Sequence, residues 1–229
     1  FSEETSLVIP TRNRPKYLKK TLDQINKLKI NFLEIIVVDS SDKKYENEIN
    51  KLINQNTIKF FKSKPSTSLQ RNIGIEKMSE INKFVMFLDD DIIFSEEMFS
   101  QMDKTITSNF NNDNIVGYGF NQIQNVKKNN LIERIKNNFL FNSLQLYPNK
   151  PGKVALSGWQ SKILNIENDI YVDWIYTTAC IYKSNQKKNL RFNDNFGTYG
   201  YLEDLDFSLN FYNSKKKILI SSGAKYFHP

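Results

Sequence analysis

Phe84-Val-Met-Phe-Leu-Asp-Asp-Asp91 is the stretch on which the reading of this chain turns. Five apolar residues in a row suit a strand buried on both faces, as in the interior of a parallel sheet. The three carboxylates that follow repel one another, so setting them side by side has a cost. A divalent cation removes that cost, because Mg²⁺ and Mn²⁺ take oxygen ligands and share them between carboxylates and substrate phosphates. Directly after a buried strand, a binding site is a better account of the triple aspartate than a solvated acidic loop.

Working outward, Ser6-Leu-Val-Ile9, Leu33-Glu-Ile-Ile-Val-Val38 and Ile58-Lys-Phe-Phe61 have the same strand character. Between them lie helical patterns. Residues 15–28 repeat apolar side chains at Leu18, Leu22, Ile25 and Leu28, and Pro15 suits a first turn. Residues 45–53 form a second helix. A third, capped by Ser66, Thr67 or Ser68, runs to about Ser79. Downstream, Ser95 caps a fourth helix with Glu96 and Glu97 in its first turn, and a fifth strand follows near residues 114–118. This β-α-β alternation specifies an α/β domain with one mostly parallel sheet and helices on both faces. Ligands of such sheets bind outside the carboxyl ends of the strands. There the chain carries Thr11-Arg12-Asn13-Arg14, Asp39-Ser40-Ser41-Asp42 and Asp89-Asp90-Asp91.

The second half is less regular. Residues 121–157 are polar, with a helical pattern at 131–141. Strand-like pieces follow at Tyr171-Val-Asp-Trp174 and Thr178-Ala-Cys-Ile-Tyr182. Residues 202–212 read as a helix, and Ile218-Leu-Ile220 and Lys225-Tyr-Phe227 as two short final strands. No repeat or low-complexity linker divides the chain, so one domain is the simplest account.

Each candidate residue has an ordinary reading beside a chemical one. His228, the only histidine, ends a short apolar strand, and neutral imidazole suits Mn²⁺. Glu203-Asp204 opens a helix, where acids also favour the macrodipole; a carboxylate there can take a proton from an attacking hydroxyl. Arg12, Arg14 and Arg71 match phosphate geometry, against the alternative of surface arginines. Asp39 is either a base- or ribose-binding acid or a turn residue. Trp159 and Trp174 suit core packing and the C–H face of a sugar equally. Cys180, the only cysteine, reads as a small core residue.

Of 229 residues, 39% are hydrophobic and 25% charged, which argues against disorder. The net charge of +7 is scattered, with one cluster at Lys215 to Lys217. It lacks the basic stripe with interleaved aromatics of a nucleic-acid binder. A single cysteine rules out a disulfide within the chain, and neither a bilayer-length apolar run nor a signal peptide is visible. The expected location is the cytoplasm, with a basic surface that suits peripheral contact with a membrane carrying a lipid-linked acceptor. The chain opens on Phe1 and ends on His228-Pro229, as a piece of a longer protein would.

Taken in order, Val8-Ile-Pro-Thr-Arg-Asn-Arg14, Ile36-Val-Val-Asp-Ser40, Gln70-Arg-Asn-Ile-Gly74, Phe87-Leu-Asp-Asp-Asp91, Val172-Asp-Trp174, Tyr199-Gly-Tyr-Leu-Glu-Asp-Leu-Asp-Phe207 and Ala224 to His228 resemble the family 2 glycosyltransferases of the GT-A fold. The resemblance implies an enzyme that transfers a hexosyl or related group from a nucleotide diphosphate sugar to a glycan or glycolipid hydroxyl, with Mn²⁺ or Mg²⁺ and inversion at the anomeric carbon. It implies a nucleotide-sugar half, residues 1–118, and an acceptor and catalytic-base half, residues 119–229. Pro10, Thr11, Arg12, Asn13, Arg14 and Asp39 would hold the donor base and ribose, with Arg71 and Asn72 close to the nucleotide. Asp91 would bind the metal with His228, and Asp89 or Asp90 would lie near the ribose. Asp204 matches the catalytic base. Glu203 and Trp174 would face the acceptor, and Trp159 and Thr178 belong to the same side. Asp39-Ser40-Ser41-Asp42 departs from the common Asp-Asp-Gly-Ser, and Thr177-Thr178-Ala179 stands where many members have glycine, which reshapes the acceptor pocket. Two rival readings remain: a sugar- or nucleotide-binding protein of the same fold without turnover, and a sugar nucleotidyltransferase. The second calls for a Gly-rich phosphate loop after strand one, and Thr11-Arg12-Asn13-Arg14 has no glycine. The lack of G-x-G-x-x-G there argues against a dehydrogenase.

Overall fold

Apolar side chains alternate in facing along the central strands, and helices cover both sides. A computed structural model describes residues 1–54, 58–125, 146–148, 150–198 and 200–229. The strands are β1 (Thr5–Thr11), β2 (Glu34–Asp39), β3 (Lys59–Lys62), β4 (Phe84–Leu88), β5 (Ile115–Ile123), β6 (Ile170–Val172), β7 (Ala179–Lys183) and β8 (Lys217–Phe227). Among the described residues the α-helices are α1 (Pro15–Lys27), α2 (Glu46–Asn54), α3 (Thr67–Lys77), α4 (Glu96–Ser108) and α5 (Glu203–Asn213). Every residue of β1 and β4 is buried. Leu7 and Ile9 belong to the core that includes Leu22 of α1 and Met102 of α4. Val8 points the other way, into the core that includes Ile75 of α3 and Phe207 and Phe211 of α5. The period of two along a strand thus builds two cores from one sheet.

The strand order is β3-β2-β1-β4-β7-β5-β8-β6. Strands β1 to β4 are parallel neighbours, as are β5 and β8, whereas β7 is inserted antiparallel between β4 and β5, and β6 runs antiparallel to β8. The expected mostly parallel α/β sheet is therefore present, with two reversed strands contributed by the second half.

Helix α3 approaches β1 through Gly74, where an added Cβ would overlap both methyl groups of Val8. Val8 is fully buried, so it has nowhere to move. Gly74→Ala is expected to destabilise the fold: overpacking costs about 1–3 kcal/mol, and better helix propensity returns about 1 kcal/mol at most. Urea unfolding would show a lower midpoint at unchanged slope. A midpoint equal to that of the wild type would mean that α3 can slide off β1.

Two expectations need correction. The two final short strands are one, β8, whose pairing with β5 jumps from Phe120↔Ser221 to Asn121↔Lys225. The polar Ser221-Ser-Gly-Ala224 resembles a break in the sequence, but it is a bulge, and Asn121 Nδ2 satisfies the Ser222 carbonyl at 2.7 Å. Strand β5 also runs further than expected, to Ile123. The helical pattern at residues 131–141 lies outside the described residues.

Candidate active site

Three strand ends meet where the sheet rule requires. Thr11 and Asp39 are register partners on β1 and β2, and Thr11 Oγ1 donates to Asp90 Oδ2 at 2.5 Å from the end of β4. Asn13 takes a left-handed conformation (φ 59°), which asparagine tolerates. Its amide locks the loop after β1 to the loop after β2, donating to Asp42 at 2.9 Å and accepting from the Asp42 N–H at 2.8 Å. Pro10 is buried in β1, and Arg12 is exposed. Arg14 reaches Asp90 at 2.6 Å and Asp91 at 2.5 Å. Asp39 is fully buried, and its carboxylate accepts from the Ser41 N–H at 2.9 Å and from Lys62 at 2.8 Å.

The triple aspartate divides its labour. Asp90 is fully buried and braces Thr11 and Arg14. Asp89 and Asp91 stay partly exposed and gather with His228, each offering one ligand atom within 4.8 Å of the others. His228 Nε2 lies 3.2 Å from Asp91 Oδ1 across 137 positions of sequence. It is carried there by a backbone bridge in which Phe227 and Ile93 exchange hydrogen bonds of 2.9 and 2.8 Å. Burial would raise the Asp91 pKa, but the His228 hydrogen bond and the Arg14 charge outweigh it and hold it below the usual range. His228 is raised, chiefly by its hydrogen bond to Asp91. Two carboxylates and an imidazole form a donor set that fits a divalent cation, and the nitrogen favours Mn²⁺ over Mg²⁺, which prefers all-oxygen surroundings.

A cleft of about 1420 Å³ opens beside this cluster. Asp89, Arg71, Glu203, Asp204, Trp174 and Trp159 all line it. Arg71 is 2% exposed and lies between two acids, with Nη2 3.0 Å from Asp89 and Nη1 bonded to Glu203. Glu203 and Asp204 open α5 after Leu202, whose left-handed backbone (φ 65°) turns the chain sharply into the helix. Gly200 makes that turn possible, because a Cβ there would overlap the Glu203 carboxylate. Burial pushes Asp204 up to about 6; the Leu205 N–H and the Arg71 charge oppose this rise, and the neighbouring Glu203 charge adds to it. Trp174 is 3% exposed and packs edge-on against Tyr176, with ring centroids 4.7 Å apart. Trp159 is 54% exposed and sits 5.1 Å from Tyr147. One tryptophan is thus packed into the cleft wall and the other leaves much of its ring exposed.

Other candidates sit elsewhere. Asn72 spends its amide on Phe192 and Asp194, donating at 2.9 and 2.8 Å and accepting at 2.8 Å. Thr177 lines the cleft, whereas the Thr178 carbonyl accepts the Asp89 N–H at 2.8 Å and so fixes the start of the aspartate run. Sequence reasoning missed Gln70 and Ser68. The Gln70 amide donates to the carbonyls of Thr11 and Val38 at 2.8 and 2.7 Å, tying the ends of β1 and β2. Ser68 Oγ donates to Glu203 at 2.5 Å. A polar residue on the inner face of a helix was the available signal, and its partners lay too far along the chain to be read.

Residues 6–164 match the model of Glycosyl transferase family 2. The chain belongs to this family. It has the GT-A fold: the S. aureus TarS 1-349 structure superposes over 98% of this chain and 60% of its own, with TM-score 0.61 and 18% identity. The mannosyltransferase PcManGT of Pyrobaculum calidifontis, solved with GDP-Man and Mn²⁺, covers 98% of this chain and 56% of its own, with TM-score 0.61 and 12% identity. In sequence, the minor teichoic acid biosynthesis protein GgaA of Bacillus subtilis (strain 168) is 33% identical over 98 residues, which is 40% of this chain and 22% of GgaA. The chain therefore spans less than two thirds of the length of each of these relatives. As a family 2 member it is a glycosyltransferase domain. Among the described residues no helix is long and apolar enough to cross a membrane.

Proposed function

We propose that this domain is an inverting, metal-dependent glycosyltransferase that moves a sugar from a nucleoside diphosphate to an acceptor hydroxyl in the synthesis of a surface polysaccharide or glycoconjugate. The observation that carries this reading is the single cleft in which Asp89, next to the Asp91–His228 pair, and Asp204 both stand. The relationship to GgaA, a teichoic acid biosynthesis protein, supports a polymer or lipid-linked acceptor.

The strand-end loops and Asp39 form the donor side, with the base and ribose against residues 10–14. Asp89, Asp91 and His228 would hold Mn²⁺ or Mg²⁺, which when bound supplies positive charge for the leaving diphosphate. The acceptor lies in the cleft, its sugar ring on the open face of Trp159. Asp204 takes the proton of the attacking hydroxyl as its oxygen bonds the anomeric carbon from the side opposite the diphosphate. The bond from that carbon to the phosphate oxygen breaks, and its electron pair leaves with the nucleoside diphosphate. One displacement gives one inversion. A carboxylate pushed up to about 6 is a stronger base than an ordinary aspartate and still ionised at neutral pH.

The test is thermal unfolding of the purified chain with a panel of nucleoside diphosphates and nucleotide sugars, with and without Mn²⁺. A ligand bound only by the native state raises the midpoint, by an amount that grows with its concentration over Kd. A Mn²⁺-dependent rise with one nucleotide supports the donor site and identifies the base. A folded sample indifferent to the whole panel would overturn the metal-dependent donor site proposed here.

A further inference from the structure

Arg71 lies where it joins the two ends of the reaction, and its surroundings differ from those of a phosphate-binding arginine. Its guanidinium is 2% exposed and is already held by two carboxylates, Asp89 on the cluster side and Glu203 at the start of α5. Ser68, three residues earlier on the same face of α3, donates to the other oxygen of Glu203. Glu203 is 6% exposed and adjoins Asp204.

We infer that Arg71 is a positioning residue which couples the Asp89–Asp91–His228 cluster to the helix that bears Asp204. This rests on the reading of that cluster as a metal site. The coupling follows from sharing one buried cation between two acids. A divalent cation at the cluster competes with Arg71 for the Asp89 carboxylate, and a guanidinium released from Asp89 bears wholly on Glu203, its remaining anchor. In a buried setting each charge is felt strongly by the others. Linkage is reciprocal, so whatever weakens the hold of Glu203 on Arg71 must weaken cation binding at Asp89. Glu203 lies outside the cluster, and a role confined to packing would leave the affinity of the cluster unchanged.

The experiment is a Mn²⁺ titration followed by electron paramagnetic resonance of the free ion, on the chain alone with no nucleotide or turnover. Glu203→Gln keeps the shape and removes the charge; Arg71 then turns to Asp89, and Mn²⁺ binding is expected to weaken by about five-fold or more, the lower end of ordinary site-to-site coupling. Arg71→Met removes the competitor and is expected to tighten binding. In the Arg71→Met background Glu203→Gln should have no further effect. Ser68→Ala loosens Glu203 without touching a charge and moves the affinity in the same direction as Glu203→Gln, which keeps the test open where Arg71→Met fails to fold. Equal Mn²⁺ affinity in wild type, Glu203→Gln and Ser68→Ala overturns the coupling and leaves the metal site standing. No Mn²⁺ binding by the wild type overturns both together.

Discussion

Asp204→Asn is expected to lower turnover by about 10²–10⁴-fold, the usual contribution of a positioned general base, while leaving folding and nucleotide binding intact. The substitution keeps the shape of the side chain and its place in the first turn of α5, and removes only the capacity to take a proton. The pH profile gives a second readout. Burial raises the Asp204 pKa to about 6, and the group works when ionised. Turnover of the wild type therefore falls as pH drops through about 6 and levels off above it. The variant loses the Asp204 part of this limb, because an amide does not titrate in this range, so its profile is expected to fall less steeply than that of the wild type. Nucleoside diphosphate release measured from pH 5 to 8, against a thermal-shift control for nucleotide binding, checks both parts. Full activity in Asp204→Asn would assign the base elsewhere.

The second large effect is expected at the cation cluster. Asp91→Asn should abolish the Mn²⁺-dependent part of nucleotide binding and reduce turnover by roughly 10²–10³-fold, the scale of losing one fixed charge-stabilising group. Asp91 is held ionised against its own burial by His228 and Arg14, so its charge is secured before any cation arrives. His228→Gln removes a neutral donor and leaves both carboxylates, so the expected loss is smaller than that of Asp91→Asn. A chelator should reproduce the Asp91 defect in the wild type and have no further effect on the variant. The reading fails if Asp91→Asn retains the Mn²⁺ response in thermal unfolding.

The two large effects come from parts of the site that were legible to different degrees. The aspartate run was visible because an apolar strand ends on it, and strand ends point to a known edge of an α/β sheet. The split within the run was not visible. Three identical residues in a row carry no local sign of which one turns inward, and only the buried contacts of Asp90 with Thr11 and Arg14 assign it to bracing. Arg71 was singled out for its chemistry, but its occupation by Asp89 and Glu203 could not be read, because those partners are 18 and 132 positions away.

The order of strands and helices in the first half, the parallel sheet, and the edge at which the strand-end loops meet were all readable from the residues in line. Those follow from hydrophobic period and chain direction, which are local. Tertiary structure decided the rest. It inserted β7 against the chain direction between β4 and β5, made one bulged strand of two apparent short ones, and used that strand's Phe227–Ile93 bridge to carry His228 to Asp91. It also turned one tryptophan into the wall and left the other open. These are pairings between distant segments, settled by which backbone groups and side chains satisfy one another once the two cores have closed.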